Sequence, residues 1–167
     1  MAYLHLLAMA VWVGGILFIA AVMVPVTRRL EAAGRDQGSP GAGSQALGMT
    51  ARRFRPIGWA ALVTLVVTGA WLLAERGVGL GDILSGEGPF YGALRLKLGL
   101  VVLLLTLGAF HDFVLGPWLA RKLTQAGAQG ASEVKGRRAI SWLARVNLLV
   151  TFAVVAMGAV LVRGSPV

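Results

Sequence analysis

The sequence predicts an all-α integral membrane protein, a four-helix bundle whose spans run up, down, up and down. Hydrophobic residues make up 57% of the 167 residues, and charged residues only 14%. Soluble domains carry about 25% charged residues, and one of this length could not bury so much apolar surface. The apolar residues also fall into four long segments, as membrane-spanning helices require.

The four predicted spans each approach or exceed the ~20 residues needed to cross about 30 Å of hydrocarbon. They cover residues 3–26, 57–74, 91–115 and 140–162. Pro25 is expected to help stop the first span, Pro56 stands where the second starts, and Pro117 follows the end of the third. We interpret residues 1–167 as one domain with a flexible, Gly/Ser-rich cytoplasmic loop at residues 34–48.

Basic residues predict the orientation of the spans. Eleven Lys and Arg residues lie in the first and third loops, whereas the second loop and the C-terminal tail carry only Arg76 and Arg163. The eleven are Arg28, Arg29, Arg35, Arg52, Arg53, Arg55, Arg121, Lys122, Lys135, Arg137 and Arg138. Cytoplasmic loops carry such an excess, so both termini are predicted to be extracytoplasmic. Membrane topology also explains the net charge of +9, so no nucleic acid partner is expected.

Polar residues near the extracytoplasmic ends of the spans form a predicted outer cluster. His5 and Met9 are four residues apart, so they share one face of the first span. Arg95 and Lys97 occupy the first turns of the third span. The alternative role for these cations is anchoring, because long basic side chains snorkel to the membrane surface.

A second cluster lies near the cytoplasmic ends of spans three and four. It contains His111 and Asp112 on the third span, and Arg145 and Asn147 on the fourth. A short hairpin would bring these ends together. We predict a structural ion pair between Asp112 and Arg145, because an unpaired charge inside a membrane is costly.

The positions of the two histidines limit the cofactor chemistry. His5 and His111 should lie on the order of 20 Å apart along the membrane normal, so they cannot both ligate one haem. A haem with a single histidine ligand remains open, with Arg95 or Lys97 holding its propionates. His5 and Met9 could together bind copper, which accepts imidazole and thioether ligands. The chain has no cysteine, which excludes thiolate metal sites and disulfides.

No recognised catalytic pattern is present. The sequence contains no phosphate-binding loop, no zinc-helix motif and no Ser/His/Asp arrangement. Two histidines alone make hydrolytic chemistry improbable. We therefore assign no catalytic residue and favour a role other than that of an enzyme.

Several motifs resemble a known family. In the first span, His5 is followed by Trp12-Val-Gly-Gly, and the second span ends in Thr68-Gly69. The third contains Lys97-Leu and His111-Asp112-Phe. This order resembles the CopD family of bacterial inner-membrane proteins, associated with copper resistance and uptake. It is more loosely similar to HemJ-type membrane proteins, which bind haem b. The resemblance implies an inner-membrane location and points to His5, Lys97 and His111 as functional residues.

Three functions therefore stay open. The first is a CopD-like protein that binds or transports copper through His5 and Met9. The second is a haem b-binding membrane protein with His5, Arg95, Lys97 and His111 as candidate cofactor residues. The third is a non-catalytic subunit of a larger membrane complex. The lipid bilayer is the expected partner in each case, together with other membrane subunits or further copies of the chain.

Overall fold

The computed structural model describes residues 1–37, 41–118, 121 and 131–163, with the side chains of 131–140 and Arg163 outside the description. Lys122, Lys135, Arg137 and Arg138, all counted in the predicted orientation, therefore lie outside the described side chains. Throughout the described part, all regular secondary structure is helical. The chain divides into two compact units, Met1–Val78 and Gly79–Val167, each built around a pair of long helices.

The first unit is a hairpin of two long helical stretches. The first stretch consists of α1 (Ala2–Phe18), a π-helical turn (Ile19–Met23) and α2 (Val24–Asp36). The second is a continuous helix, α3 (Ala42–Glu75). The buried residues of the first unit include Ala8, Thr27, Ala61, Leu62 and Thr68. Most of them have small side chains, which let the two helices approach closely.

The second unit has the same general plan. A short helix, α4 (Leu80–Ser85), precedes α5 (Pro89–Ala109), which continues into a second π-helical segment (Phe110–Leu115). The last helix, α6 (Ala131–Arg163), packs against α5. Its buried residues include Leu94, Leu104, Thr151 and Leu161.

Among the residues that the structure describes, four helical stretches are long and apolar enough to cross a membrane. They are Ala2–Asp36, Ala42–Glu75, Pro89–Trp118 and Ser141–Val162. Most of their large apolar side chains are exposed, among them Leu7, Val67 and Val102, as expected of helices that face lipid. These stretches confirm the predicted class, an all-α protein with four apolar helices.

Two prolines have effects that differ from those predicted. Pro25 does not end the first helical stretch, which continues to Asp36, and helical backbone also continues past Pro117 to Trp118. Each π-helical segment ends two residues before one of these prolines. Proline lacks an N–H and displaces the carbonyl four residues earlier, and π-turns absorb such disruptions within a helix. Pro56, expected where a span starts, lies inside α3.

The Gly/Ser-rich stretch 34–48, predicted to be a flexible loop, is described by the structure except at residues 38–40. It is helical at 34–36 and again from Ala42 onward. The carboxylate of Glu31 accepts hydrogen bonds from the backbone N–H groups of Gly41, Gly43 and Ser44, at 3.0, 3.1 and 3.2 Å. These N–H groups lie at the start of α3, where backbone donors have no acceptor within their own helix. A side chain on α2 thus caps α3 from outside.

Gly43 allows this arrangement because it has no side chain. A Cβ atom at this position would collide with the backbone carbonyl oxygen of Thr27. The close approach of α2 and α3 therefore depends on glycine at this point, and it brings Glu31 within reach of the helix start.

We predict that Glu31→Gln loosens the start of α3, because a neutral amide is a weaker acceptor for three backbone N–H groups than a carboxylate. Hydrogen exchange at the amides of Gly43 and Ser44 should become severalfold faster. Glu87→Gln, which changes an exposed acid in the other unit, is the matched control. Equal protection of these amides in wild type and Glu31→Gln would contradict the capping role.

Candidate functional site

His5 is held against α3 by a hydrogen bond that determines its tautomer. Its Nδ1 lies 2.8 Å from Oγ1 of Thr68, a residue only 2% exposed. The Thr68 hydroxyl has one proton, and it donates this proton to the carbonyl oxygen of Thr64 at 2.6 Å. When the hydroxyl proton points to Thr64, Thr68 Oγ1 accepts from His5 and Nδ1 carries the ring proton. The lone pair of the neutral ring is then at Nε2.

The surface beneath the ring is made by Gly69. A Cβ atom there would lie 3.5 Å from Cε1 of His5, an ordinary contact distance. The imidazole thus lies over the Thr68–Gly69 segment near one end of α3. Metal-binding histidines commonly have this arrangement, in which the second nitrogen donates to a fixed acceptor and sets the direction of the first.

Met9 and Trp12 continue the face of α1 that carries His5. All three side chains are partly covered, and Ala8 between them is buried. His5 contacts Thr68 of α3, and Met9 lies one turn further along α1. Side chains four apart on a helix have Cβ atoms about 5–6 Å from each other, so an imidazole and a thioether at these positions can reach one ion.

Trp12 packs against α3 about two turns of α1 beyond His5. Its ring stacks on Phe54 with centroids 6.3 Å apart, and it lies over Gly58, where a Cβ atom would come within 2.9 Å of the indole. The same Phe54 ring fills the space beside Gly15. The indole Nε1 is buried and has no hydrogen-bond partner among the described residues. Gly15 and Gly58 thus leave room for the stacked rings of Trp12 and Phe54 between α1 and α3.

Arg95 and Lys97 have separate surroundings within the second unit. Arg95 Nη1 donates to the carbonyl oxygens of Ile83, Leu84 and Gly86 at 3.2, 3.4 and 3.1 Å. It thereby caps the C-terminal end of α4, where a cation is favoured. Lys97 is partly covered and lies against Gly158 of α6, with Nζ 3.5 Å from where a Cβ atom would stand.

His111 and Asp112 form a pair on the second π-helical segment. His111 Nδ1 lies 2.9 Å from Asp112 Oδ1, and the two side chains are 34% and 29% exposed. A carboxylate only accepts hydrogen bonds, so Nδ1 again carries the proton and the lone pair of the neutral ring is at Nε2. Arg145 is exposed. The predicted ion pair between Asp112 and Arg145 stays a prediction beside the observed hydrogen bond with His111.

The sequence did not reveal the partners of the two histidines. In the sequence Thr68 was only part of the Thr68-Gly69 motif, yet its hydroxyl is the hydrogen-bond partner of His5. Its neighbour Thr64 makes the same backbone bond four residues earlier, to Ala60. Asp112 was assigned to Arg145 because an unpaired charge inside a membrane is costly. In the structure it has a hydrogen-bond partner in the adjacent His111, on the π-helical segment.

Comparison with known proteins identifies the family. Residues 48–161 match the family described as copper resistance protein D. The match covers more than half of the chain, which therefore belongs to the CopD family. It includes Lys97, His111 and Asp112 but not His5 or Met9. No curated protein and no solved structure matches the chain significantly. Family and fold together define a multi-pass membrane protein of copper resistance.

The tautomers can be measured directly, because the chain has only two histidines. Nitrogen-15 NMR of the ring nitrogens should show Nδ1 protonated in both neutral rings. Thr68→Val removes the acceptor of His5 while keeping the shape of the side chain, so His5 should become a mixture of tautomers and His111 should not change. Thr68→Ser should keep the wild-type spectrum. A His5 ring protonated at Nε2 in the wild type would contradict the assignment.

Proposed function

We propose that this CopD-family chain binds copper(I) as its cargo through His5 and Met9 and passes it into or across the membrane. The observation that carries the proposal is the hydrogen bond from His5 Nδ1 to Thr68. It directs the lone pair to Nε2, on a helix face shared with the Met9 thioether. Thr68 would act as the positioning residue for the ligand.

The donor set favours copper(I) over harder ions. Thioethers are soft ligands that select copper(I), and imidazole is accepted by copper in both oxidation states. In the described part of the chain, no group of three or more His, Cys, Asp or Glu side chains could hold a metal ion. A site of one imidazole and one thioether has few ligands, which suits an ion that must be released again.

Copper is also favoured over the two other functions considered. The matched family is named for copper resistance, and neither the family match nor the contacts of the described residues support haem. Arg95, a candidate to hold a propionate, instead caps α4. A role as an accessory subunit gives no account of the ordered His5–Thr68 pair.

The orientation of the chain belongs to the same proposal. We infer that both termini are extracytoplasmic in the bacterial inner membrane, because the basic residues are concentrated in the first and third loops. His5 would then lie near the extracytoplasmic surface, where copper from outside the cell arrives first.

We expect His5→Ala to abolish copper(I) binding at this site and Met9→Leu to weaken it strongly, because each change removes one ligand. Thr68→Val should weaken binding by about 10–100-fold, the usual effect of losing a partner of a ligating histidine. Competition with a chromogenic copper(I) chelator, on purified protein in detergent, measures these affinities.

Met49→Leu is the matched control for Met9→Leu, since Met49 lies on α3 and is 62% exposed. It should bind copper(I) as the wild type does. Wild-type affinity in both His5→Ala and Met9→Leu would overturn the proposed site. Copper tolerance of cells that carry the same variants would show whether binding matters in vivo.

The inferred orientation can be tested with single cysteines, because the natural chain has none. Glu87→Cys, in the second loop, should react with a membrane-impermeant maleimide in intact cells. Gln37→Cys, in the first loop, should react only after the inner membrane is opened. Both positions are exposed. The reverse labelling pattern would invert the topology.

A further inference from the structure

The short helix α4 presents two large apolar side chains on one face. Leu80 and Leu84 are 81% and 79% exposed. They are four residues apart, so they lie one above the other on the same side of the helix. Single exposed leucines are common on protein surfaces, but a pair on a helix that adjoins a membrane span indicates an interaction surface.

The ends of α4 have polar groups that are bonded within the protein. Asp82 Oδ2 accepts a hydrogen bond from the Gly79 N–H group at 2.8 Å, and the Ser85 hydroxyl donates to the Gly81 carbonyl oxygen at 2.8 Å. At the other end, Arg95 Nη1 donates to three carbonyl oxygens. A helix in contact with lipid must satisfy its backbone groups internally, and these bonds serve that need.

Contacts with α5 hold α4 beside the first turns of that helix. Arg95, on the second turn of α5, binds the carbonyl oxygens at the C-terminal end of α4. Tyr91, on the first turn, lies so close to Gly86 that a Cβ atom there would come within 2.6 Å of the Tyr91 ring. One polar contact and one of close packing therefore fix where α4 ends.

The length of the third apolar stretch sets the depth of this contact. Pro89–Trp118 contains 30 residues, so it is about 45 Å long. This matches a whole bilayer with its headgroup regions, about 40–45 Å, and exceeds the hydrocarbon core of about 30 Å. The first turns of α5 thus lie in the headgroup region, where tyrosine is enriched, and α4 lies there with them. Further along α5, Leu96 and Val102 are 55% and 63% exposed and continue the lipid-facing surface.

The charges near α4 favour apolar contact over electrostatic attraction. The charged residues of the loop 76–88 are Arg76, Asp82 and Glu87, so acids outnumber bases. Helices that bind anionic lipids carry Lys or Arg on their polar face, and α4 contains neither. Its two leucines are therefore the groups that can hold it to a membrane.

From these observations we propose that α4 is an interfacial anchor whose partner is the lipid surface itself. Leu80 and Leu84 insert at the boundary between headgroups and acyl chains, and Arg95 and Tyr91 position the helix there. Burial of apolar side chains supplies the attraction, so the contact needs no anionic lipid. The proposal does not depend on copper, and loss of copper binding would leave it unchanged.

The test uses single cysteines, because the natural chain has none. Leu80→Cys and Leu84→Cys, each labelled with the fluorophore NBD, are placed in phosphatidylcholine nanodiscs, which leave both membrane faces open to solvent. Both probes should emit at shorter wavelength than in water, and doxyl-labelled phosphatidylcholine should quench them more than aqueous iodide does. Glu87→Cys, exposed in the same loop, is the matched control and should be quenched by iodide. Phosphatidylglycerol in place of phosphatidylcholine should not change this pattern.

A second variant tests the role of Arg95. Arg95→Gln removes the cation and most of the donors at the end of α4, so doxyl quenching at residue 84 should fall about twofold or more. Arg76→Gln, at an exposed base of the same loop, is the matched control and should change nothing. A probe at Val102→Cys should keep its doxyl quenching in Arg95→Gln, which would show that α5 is still inserted.

The possible outcomes separate lipid from other surroundings. Probes at residues 80 and 84 that iodide quenches as strongly as the probe at residue 87 would place α4 in water and overturn the proposal. Probes shielded from both quenchers would also overturn it and would indicate a protein partner, such as a second copy of the chain. Undiminished doxyl quenching in Arg95→Gln would overturn the positioning role of Arg95.

Discussion

Hydrocarbon supplies no hydrogen-bond partner, and this constraint orders the polar side chains of the four apolar helices. The hydroxyls of Thr64, Thr106 and Thr151 each bond to a carbonyl one turn earlier in their own helix. The two histidines cannot satisfy themselves in this way, so each bonds to a neighbouring side chain. The need to satisfy a ring N–H thus also fixes which nitrogen carries the lone pair. The hydrogen bond that the folded helix requires of the ring N–H thus also orients the ring nitrogen that could bind a metal ion.

Thr68 shows how one small side chain can serve both purposes. Its size allows α1 and α3 to approach, its proton satisfies the carbonyl oxygen of Thr64, and its oxygen accepts from His5. Valine has nearly the same shape but could do only the first of these. Thr68 therefore serves both the packing of the two helices and the positioning of His5.

Pro25 and Pro117 do not end their helices, and each is preceded by a π-helical segment. Pro25 and Pro117 each follow a π-helical segment by two residues, and the wider turn accommodates the bond that proline cannot make. In the second unit this segment contains the hydrogen-bonded pair His111 and Asp112. In the first it lies between α1 and α2, before Glu31 caps α3.

The sequence by itself determined the all-α class, the four apolar helices and the shared face of His5 and Met9, because these depend on composition and on the helical period. It also supplied the resemblance to the CopD family. Only the tertiary structure decided that Thr68 accepts from His5, that Glu31 caps α3 and that Arg95 caps α4. These contacts join residues 9 to 63 positions apart, and no local pattern encodes such a pairing. The His111–Asp112 contact is local and lies within a π-helical segment, which the α-helical period does not reveal.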